Sequence, residues 1–415
     1  MNTDDRYDLI VVGAGAAGMV AAIHAARDGK KTLLLEKLSQ IGAKLKATGG
    51  GRCNLTNTLK DEDFMAKFGR DGRFMQDALK VFNATELQKF MRSIGVETHA
   101  PDGFRVFPTT HSSSTIIDAF SKELKRLGVK IFTSHKVDAL LTQEQQVIGI
   151  QTHSASYYAK NIILATGGLG YPTLGAEGDG YTLAKRVGHT TTKLHPAMMP
   201  LRTKESWVAE CRADTIAKAT LKIGLKKHKN IQIQGDLIFT KTGIRGPAVL
   251  DFAREITPLL DKYGEVPLMV NLTKGMDENE ILSFLKSTQV DVPDANSCEL
   301  VMHLLPKALA HEICILAKVP CETKFKNLDG KTRQKLIELL AWTPLTIVGH
   351  DGFKMAMITR GGITLKEIDP KTMQSKLLKG LYFCGELMNL DGPCGGYNLQ
   401  WSFSSGFLAS KLSYL

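Results

Sequence analysis

Among the seven cysteines of this 415-residue chain (53, 211, 298, 314, 321, 384 and 394) no two are spaced as CxxC, and the count is odd. That spacing argues against a disulfide framework and against a cysteine zinc site, so no metal is expected and the default cysteine is a buried thiol. No run approaches the roughly 18 apolar residues of a membrane span, and no apolar leader stretch precedes the first strand pattern. A cytoplasmic protein without membrane contact is expected. Internal repeats and low-complexity segments are missing too, and 43% hydrophobic with 23% charged residues is an ordinary globular balance, with length for two or three domains. One further absence matters later. The chain holds a single strand-GxGxxG-helix-strand unit, with no second copy anywhere.

That one unit carries most of the information. Leu9 to Val12 is a short β-branched run read as a buried parallel strand, and Gly13, Gly15 and Gly18 follow at GxGxxG spacing before an Ala-rich helical stretch ending near Asp28. In this fingerprint Gly13 makes the tight turn, Gly15 lets backbone approach a pyrophosphate, and Gly18 permits close packing of helix on strand. The pyrophosphate would rest on the N–H groups of Ala14 to Ala17 and on the positive end of the helix. Thr32 to Leu35 reads as the second strand and Glu36 stands at its end, 18 residues beyond Gly18. A carboxylate there accepts hydrogen bonds from a ribose diol and repels a 2′-phosphate, favouring FAD or NAD over NADP.

Beyond it, Gly42 to Asn54 is a glycine-rich loop, helical segments run from about Asp71 to Ser93, and Ser112 to Ser114 cap a helix reaching Leu127. Lys130 to Phe132, Val137 to Thr142 and Val147 to Thr152 read as a meander. Asn161-Ile-Ile-Leu-Ala-Thr-Gly-Gly168 reads as a strand rejoining the parallel sheet beside the nucleotide. From about Lys193 the pattern changes to short segments (Leu221 to Leu225, Ile231 to Ile233, Leu237 to Thr240, Pro267 to Leu272) that suit a small antiparallel β unit. Helices are expected over Asp277 to Lys286, Cys298 to Lys318 and Thr332 to Trp342. After Gly361-Gly362 the chain regains its first character, with a strand ending in Cys384-Gly-Glu386 and a closing helix over Tyr397 to Leu412. The expected fold is therefore α/β. A discontinuous Rossmann-type domain (residues 1–192 and 352–415) holds an insert in two parts, a small antiparallel β unit (193–275 and 341–351) and a helical subdomain (276–340).

The late element Asp391-Gly-Pro-Cys-Gly-Gly-Tyr-Asn-Leu-Gln400 brings a second helix N-terminus to the nucleotide domain, and two such termini fit an elongated ligand. Together with GAGAAG, it joins Gly42-Ala-Lys44 with Thr48 to Asn57, Arg105-Val-Phe-Pro108, Ala165 to Gly168, Gly178-Asp-Gly180, Phe239 to Pro247 and Gly395 to Trp401. With these blocks the chain resembles the bacterial conserved flavoprotein family, NAD(P)/FAD-dependent oxidoreductases related to a bile-acid enone reductase and to aminoacetone oxidase. The resemblance covers nearly the whole chain. It implies a Rossmann-type FAD-binding domain whose insert is a β-barrel-like plus helical domain, non-covalent FAD with NAD(P)H as a transient donor, and reduction of a carbonyl-conjugated C=C in a steroid or in the uracil ring of ribosomal RNA. It places the cofactor against Gly13 to Gly18, Glu36, Lys37, Lys44, Gly49, Gly50, Gly51, Arg52, Cys53, Asn54, Val137, Ala165, Thr166 and Gly167. At the other end it adds Gly385, Glu386, Gly396, Tyr397, Asn398 and Leu399.

Cys53, Cys394 and Tyr397 are the candidate proton donors, Cys53 being equally readable as a small residue packed under the cofactor. His195 and His350 lie near the insert boundaries, as catalytic or as satisfied structural histidines. The family block FTHxGxSGP here reads Phe239-Thr-Lys241-Thr-Gly-Ile-Arg245-Gly-Pro247, and the two cations suit either an anionic substrate or plain surface charge. Net charge is +11, with eleven Lys/Arg against six Asp/Glu over residues 30–80 and nine against four over 193–240. A basic surface admits an RNA partner or simply a solvated face. Three functions remain open: the reductase, a flavin amine oxidase using oxygen, and a non-catalytic FAD-stabilised RNA-binding protein.

Overall fold

The computed structural model describes residues 6–320 and 322–413, so Cys321 lies outside the described residues. It divides into two compact units, one running to Pro196 and resuming at Met357, the other spanning Ala197–Ala356.

The first unit opens with β1 (Arg6–Val12), α1 (Ala16–Arg27), β2 (Thr32–Leu35), α2 (Ala43–Ala47) and β3 (Thr56–Asn57). Three short helices follow, α3 (Asp61–Ala66), α4 (Gln76–Val81) and α5 (Ala84–Ser93), then β4 (Thr98–His99), β5 (Arg105–Pro108) and α6 (Ser113–Arg126). Next come β6 (Lys130–Phe132), β7 (Val137–Gln143), β8 (Gln146–Thr152), β9 (Ser156–Leu164), α7 (Asp179–Arg186) and the short β10 (His195–Ala197). The order across the main sheet is β6-β2-β1-β9-β8-β7. Leu9 to Val12 and Leu33 to Leu35 are all buried, as a parallel strand covered on both faces requires.

The meander expected over residues 130–152 is corrected by this order. β6 pairs in parallel with β2, at the opposite edge from the β7–β8 hairpin, which runs antiparallel onto β9. The reason is the crossover: α6 returns the chain over the face that α1 occupies, and a right-handed return delivers β6 to the free edge of β2.

The second unit holds β11 (Leu201–Thr203), β12 (Thr215–Ile223), β13 (Gln232–Thr240), β14 (Gly243–Arg245), α8 (Pro247–Tyr263) and β15 (Val266–Asn271). It continues through α9 (Glu278–Asp291), α10 (Ser297–Val301), α11 (Lys307–Leu316), α12 (Gly330–Ala341) and β16 (Thr343–His350). The strands close into a barrel, β11-β14-β13-β12-β15-β16. The segments Ile231 to Ile233 and Leu237 to Thr240 are one strand, because Gly235 stays in the ladder where Ala248 would lie 3.3 Å from any added Cβ. Pro306 splits the helix expected over Cys298 to Lys318 in two, since proline has no N–H to continue it. Reciprocal side-chain and backbone bonds cap α9 (Asp277 with Glu280) and α10 (Asn296 with Glu299).

The first unit is completed by β17 (Ile358–Arg360), β18 (Leu381–Phe383), parallel to β9, and α13 (Tyr397–Ser410). α13 lies directly on α1: a Cβ at Gly406 would stand 2.3 Å from the Ala17 carbonyl oxygen. Trp401, Phe403, Tyr382 and Phe383 are fully buried around this contact, each contributing about 1.5–3 kcal/mol.

Candidate functional site

The turn after β1 is built by steric exclusion. At Gly13 φ is +101°, and a Cβ would meet the Ala165 carbonyl oxygen at 2.6 Å; at Gly18 it would meet the Gly13 carbonyl oxygen at 1.9 Å. Gly15 differs from both. An added Cβ there meets nothing within 4 Å, and no side chain caps α1 at this residue. Backbone N–H groups at the positive end of a helix thus border open space, which is the arrangement that holds a phosphate. Ala14 and Ala17 are buried and Ala16 is half-buried. Glu36 closes the turn from β2: Oε2 accepts the Ala14 N–H at 2.9 Å and Oε1 accepts the Leu38 N–H at 2.9 Å. Lys37 is held by two carboxylates, Glu177 at 2.7 Å and Asp179 at 2.5 Å.

The Gly42 to Asn54 loop reaches the C-terminal element at two points. Lys44 Nζ donates to Glu386 Oε2 at 2.6 Å, and Glu386 Oε1 accepts the Thr359 N–H at 2.9 Å. In the amide orientation that satisfies both ends, Asn54 Oδ1 accepts the Gly396 N–H at 3.0 Å while its nitrogen donates to the Thr56 and Val106 carbonyls. Gly49, Gly50 and Gly51 are successive residues at positive φ (58°, 65° and 87°), a path open to glycine but costly for other residues. Arg52 is exposed, its guanidinium 5.6 Å from the Phe107 ring centre. Cys53 is fully buried at φ +58°, and burial pushes its thiol up to about 12 against a Thr48 hydrogen bond, so it stays protonated.

On the far side Gly385, at φ +71°, donates its N–H to Ser405 Oγ at 2.9 Å and lies against Ala17. Gly396 is the N-cap of α13, where a Cβ would strike Thr56 backbone at 2.5 Å. The C-terminal element and the first helix are therefore in contact, and the loop bonds the start of α13. Tyr397 is buried beside Phe64, ring centres 4.9 Å apart. Asn398 clasps the preceding loop, Oδ1 accepting the Gly392 N–H at 2.8 Å and Nδ2 donating to the Gly392 carbonyl at 2.9 Å. Cys394 and Leu399 are half-buried, Val137 is buried at the start of β7, and Gly167 has φ +69°.

One observation tests these residues for a dinucleotide, the space over Gly15, and it fits a phosphate on the backbone N–H groups. Thr166 has its Cα 3.1 Å from the Cβ position of Gly13, but its buried, unpartnered Oγ1 turns to Gly180, where an added Cβ would meet it at 1.9 Å. Thr359, whose N–H holds Glu386 and whose Oγ1 accepts the Leu169 N–H at 2.7 Å, is a supporting residue with no sequence signal of its own.

The same unit contains a Ser-His-Glu row that resembles hydrolase machinery and is not. His189 Nε2 lies 2.8 Å from Ser375 Oγ, and Nδ1 lies 3.1 Å from Glu367 Oε2. Ser375 Oγ already accepts the Leu377 and Leu378 N–H groups, so its lone pairs are used, its proton points at His189, and both residues are buried. Burial lowers the His189 pKa against the pull of Glu367, keeping the ring neutral. A Ser375→Ala variant is expected to lose about 1–3 kcal/mol of stability in urea titrations, since three donors or acceptors lose their partner. Flavin content should not change; a loss of flavin without a loss of stability would contradict this structural role.

In the second unit Lys241 and Arg245 are exposed. His350 Nδ1 accepts the Gly352 N–H at 3.0 Å, and burial lowers its pKa. His195 is half-buried in β10. Among the described residues no group of three or more His, Cys, Asp or Glu could hold a metal, and no helix is long and apolar enough to cross a membrane.

Over residues 7–412 the chain matches the family described as HI0933-like protein Rossmann domain. It is 32% identical to the 3-dehydro-bile acid delta(4,6)-reductase of Clostridium scindens, across 97% of each chain. It is 27% identical to the ribosomal RNA dihydrouridine synthase of Escherichia coli, across 98% of each. Among solved structures, the 3-ketosteroid delta1-dehydrogenase from Sterolibacterium denitrificans shares the fold with a TM-score of 0.54 at 12% identity, covering 98% of this chain and 99% of that one. The chain belongs to the HI0933-like Rossmann-domain family of flavoproteins, among oxidoreductases.

Proposed function

We propose that the protein is an FAD-dependent reductase that takes electrons from NAD(P)H and adds two hydrogens across a C=C conjugated to a carbonyl. The observation that carries this reading is the end-to-end match to two relatives whose names both describe saturation of a carbon–carbon double bond. FAD, when bound, would supply the hydride that adds to the β-carbon of such a substrate. The chain's part is to hold it: Gly13 to Gly18 and the start of α1 would take the pyrophosphate, and Glu36 the ribose diol. The N-terminus of α13, at Gly396 to Leu399, would sit at the flavin ring, where a helix dipole stabilises negative charge.

The nucleotide roles of Lys44, Gly49 to Asn54, Val137, Ala165 to Gly167, Gly385 and Glu386 belong to the same proposal, with residues 1–192 and 352–415 as the FAD domain. Lys37, engaged by Glu177 and Asp179, would act by shaping the rim of the site. Of the candidate proton donors, Cys53 and Tyr397 are buried while Cys394 keeps partial access to solvent. With one dinucleotide fingerprint in the chain, NAD(P)H would visit the substrate site transiently.

The two relatives act on different molecules, and the chain's charge bears on the choice. Lys218, Lys222, Lys226, Lys227 and Lys229 lie in the β12–β13 hairpin with no carboxylate between Asp214 and Asp236. Such a lysine cluster supports a polyanionic substrate. Incubation with NADH or NADPH and either a steroid enone or ribosomal RNA, followed by mass spectrometry, is expected to show a gain of two hydrogens in one of them. Consumption of oxygen with small amines, and no gain of hydrogen in either, would replace this reading with an amine oxidase.

Glu36→Lys is expected to weaken FAD binding by about 100-fold or more. It removes the ribose acceptor and the bond from the Ala14 N–H that fixes the turn, each charge-assisted bond being worth roughly 1.5–3 kcal/mol. Fluorescence titration of apoprotein checks it; unchanged affinity contradicts the ribose assignment.

A further inference from the structure

β3, β5 and β4 form a small antiparallel sheet in which His99 pairs with Phe107. Three residues past β5 the chain turns back at His111, which holds φ +50° with its N–H donated to the Pro108 carbonyl at 2.9 Å. This backbone, unusual for a residue other than glycine, brings the two imidazoles into T-shaped contact. Their Nε2 atoms share a hydrogen bond of 2.9 Å, one donating and the other accepting, with ring planes at 73° and centres 4.6 Å apart. His111 is exposed and His99 half-buried, so water reaches the pair.

A metal ion binds imidazole nitrogen at about 2.0–2.1 Å, so two nitrogens at right angles on one ion lie about 2.9 Å apart, and at the tetrahedral angle about 3.4 Å apart. An ion that displaces the proton shared by the two Nε2 atoms finds them already at the right-angle separation. Right-angled N,O coordination is the preference of Cu²⁺ and Ni²⁺, with Cu²⁺ binding more tightly, whereas four-coordinate zinc asks for the wider spacing. The neighbouring carboxylates are engaged elsewhere: Asp102 with Arg105 at 2.6 Å, and Glu97 with Arg92 at 3.4 Å. Water would fill the remaining positions.

We propose that His99 and His111 form a two-nitrogen binding site for a tetragonal divalent metal, Cu²⁺ in preference to Ni²⁺, with the other ligands supplied by water. The site is independent of the proposed reduction. It would nonetheless brace the strand that carries Phe107, whose ring lies 5.7 Å from that of His111 and 3.8 Å from the Cβ position of Gly49. Metal binding would thus stiffen the sheet beneath the Gly49 to Asn54 loop.

The test uses purified full-length protein, stripped with EDTA and titrated with CuCl₂ under electron paramagnetic resonance, beside His99→Gln, His111→Gln and, as control, the exposed His153→Gln. One Cu²⁺ per chain with hyperfine structure from two nitrogens is expected, shared by His153→Gln. Affinity should fall tenfold or more in each of the other two variants, with loss of the two-nitrogen pattern. If His99→Gln fails to fold, His111→Gln, altered at an exposed ring, decides the matter by itself. Copper bound with unchanged affinity and spectrum in His111→Gln, or no saturable binding by the parent protein, overturns the proposal.

Discussion

Gly18→Ala is expected to yield little folded protein and no bound flavin, with a stability loss of about 3 kcal/mol or more. The added methyl would stand 1.9 Å from the Gly13 carbonyl oxygen, so either α1 or the β1 turn must move. Neither is free to do so. α1 is pressed from the other side by α13 where Gly406 meets Ala17, and the turn is tied by the Gly13 N–H to the Leu35 carbonyl at 2.8 Å and by the Ala14 N–H to Glu36. Overpacking a tight contact commonly costs about 1–3 kcal/mol, and backbone against backbone has no soft rotamer to absorb it. Gly15→Ala separates folding from binding. Gly15 has φ −83° and open space at its Cβ position, so the variant should melt in urea close to the parent midpoint yet purify with little flavin. If Gly15→Ala keeps its full flavin complement, the pyrophosphate does not lie on this turn.

The second large effect concerns acid. His24 faces inward from α1 among Phe82, Phe90 and Phe407, with ring centres 5.5, 4.7 and 4.6 Å away, and its Nε2 has no hydrogen-bond partner. Burial, helped by the nearby Arg27 and Lys411 charges, lowers its pKa from 6.5 to about 3. The unfolded chain takes up a proton near pH 6.5 that the folded chain refuses until about pH 3. This contribution to stability is therefore complete above pH 6.5 and is lost progressively as pH falls from 6.5 towards 3. At about 1.36 kcal/mol per pH unit the loss reaches roughly 4 kcal/mol. His24→Phe removes the titration and the unsatisfied nitrogen together, so urea midpoints should be as high as the parent's at pH 7 and much less pH-dependent between 6.5 and 4. An acid slope equal to the parent's in the variant would mean that other groups set it.

Much of the nucleotide unit could be read before the structure because each of its features is local. β1, the glycine turn, α1 and β2 lie within 36 residues, and each glycine is required by a contact with its own neighbourhood or with one strand. β6 was harder: three residues, Lys130 to Phe132, specify a strand but not its partner, which depends on where α6 delivers the chain. The apolar positions of α8 (Val249, Phe252, Ala253, Ile256, Leu260) follow a helical period, and Pro247 and Gly264 punctuate its ends, yet no helix is expected there from sequence. Pro258 in its middle reads as a breaker until the surrounding packing is seen to hold the helix together. The links from Lys44 to Glu386 and from Asn54 to Gly396 each join residues more than three hundred positions apart, and no spacing rule reaches that far. Burial also reshapes Cys53, which in sequence stands in an open glycine loop and in the structure is sealed with its thiol protonated.

Anaerobic stopped-flow absorbance tests most directly the proposed passage of electrons from NAD(P)H through bound FAD to a conjugated C=C. NADH or NADPH should bleach the flavin band of the purified protein. A carbonyl-conjugated C=C, offered as a steroid enone or as uracil in ribosomal RNA, should then restore the band within turnover time and faster than air does. A flavin that neither nicotinamide reduces, or a reduced flavin reoxidised by oxygen alone, would contradict it.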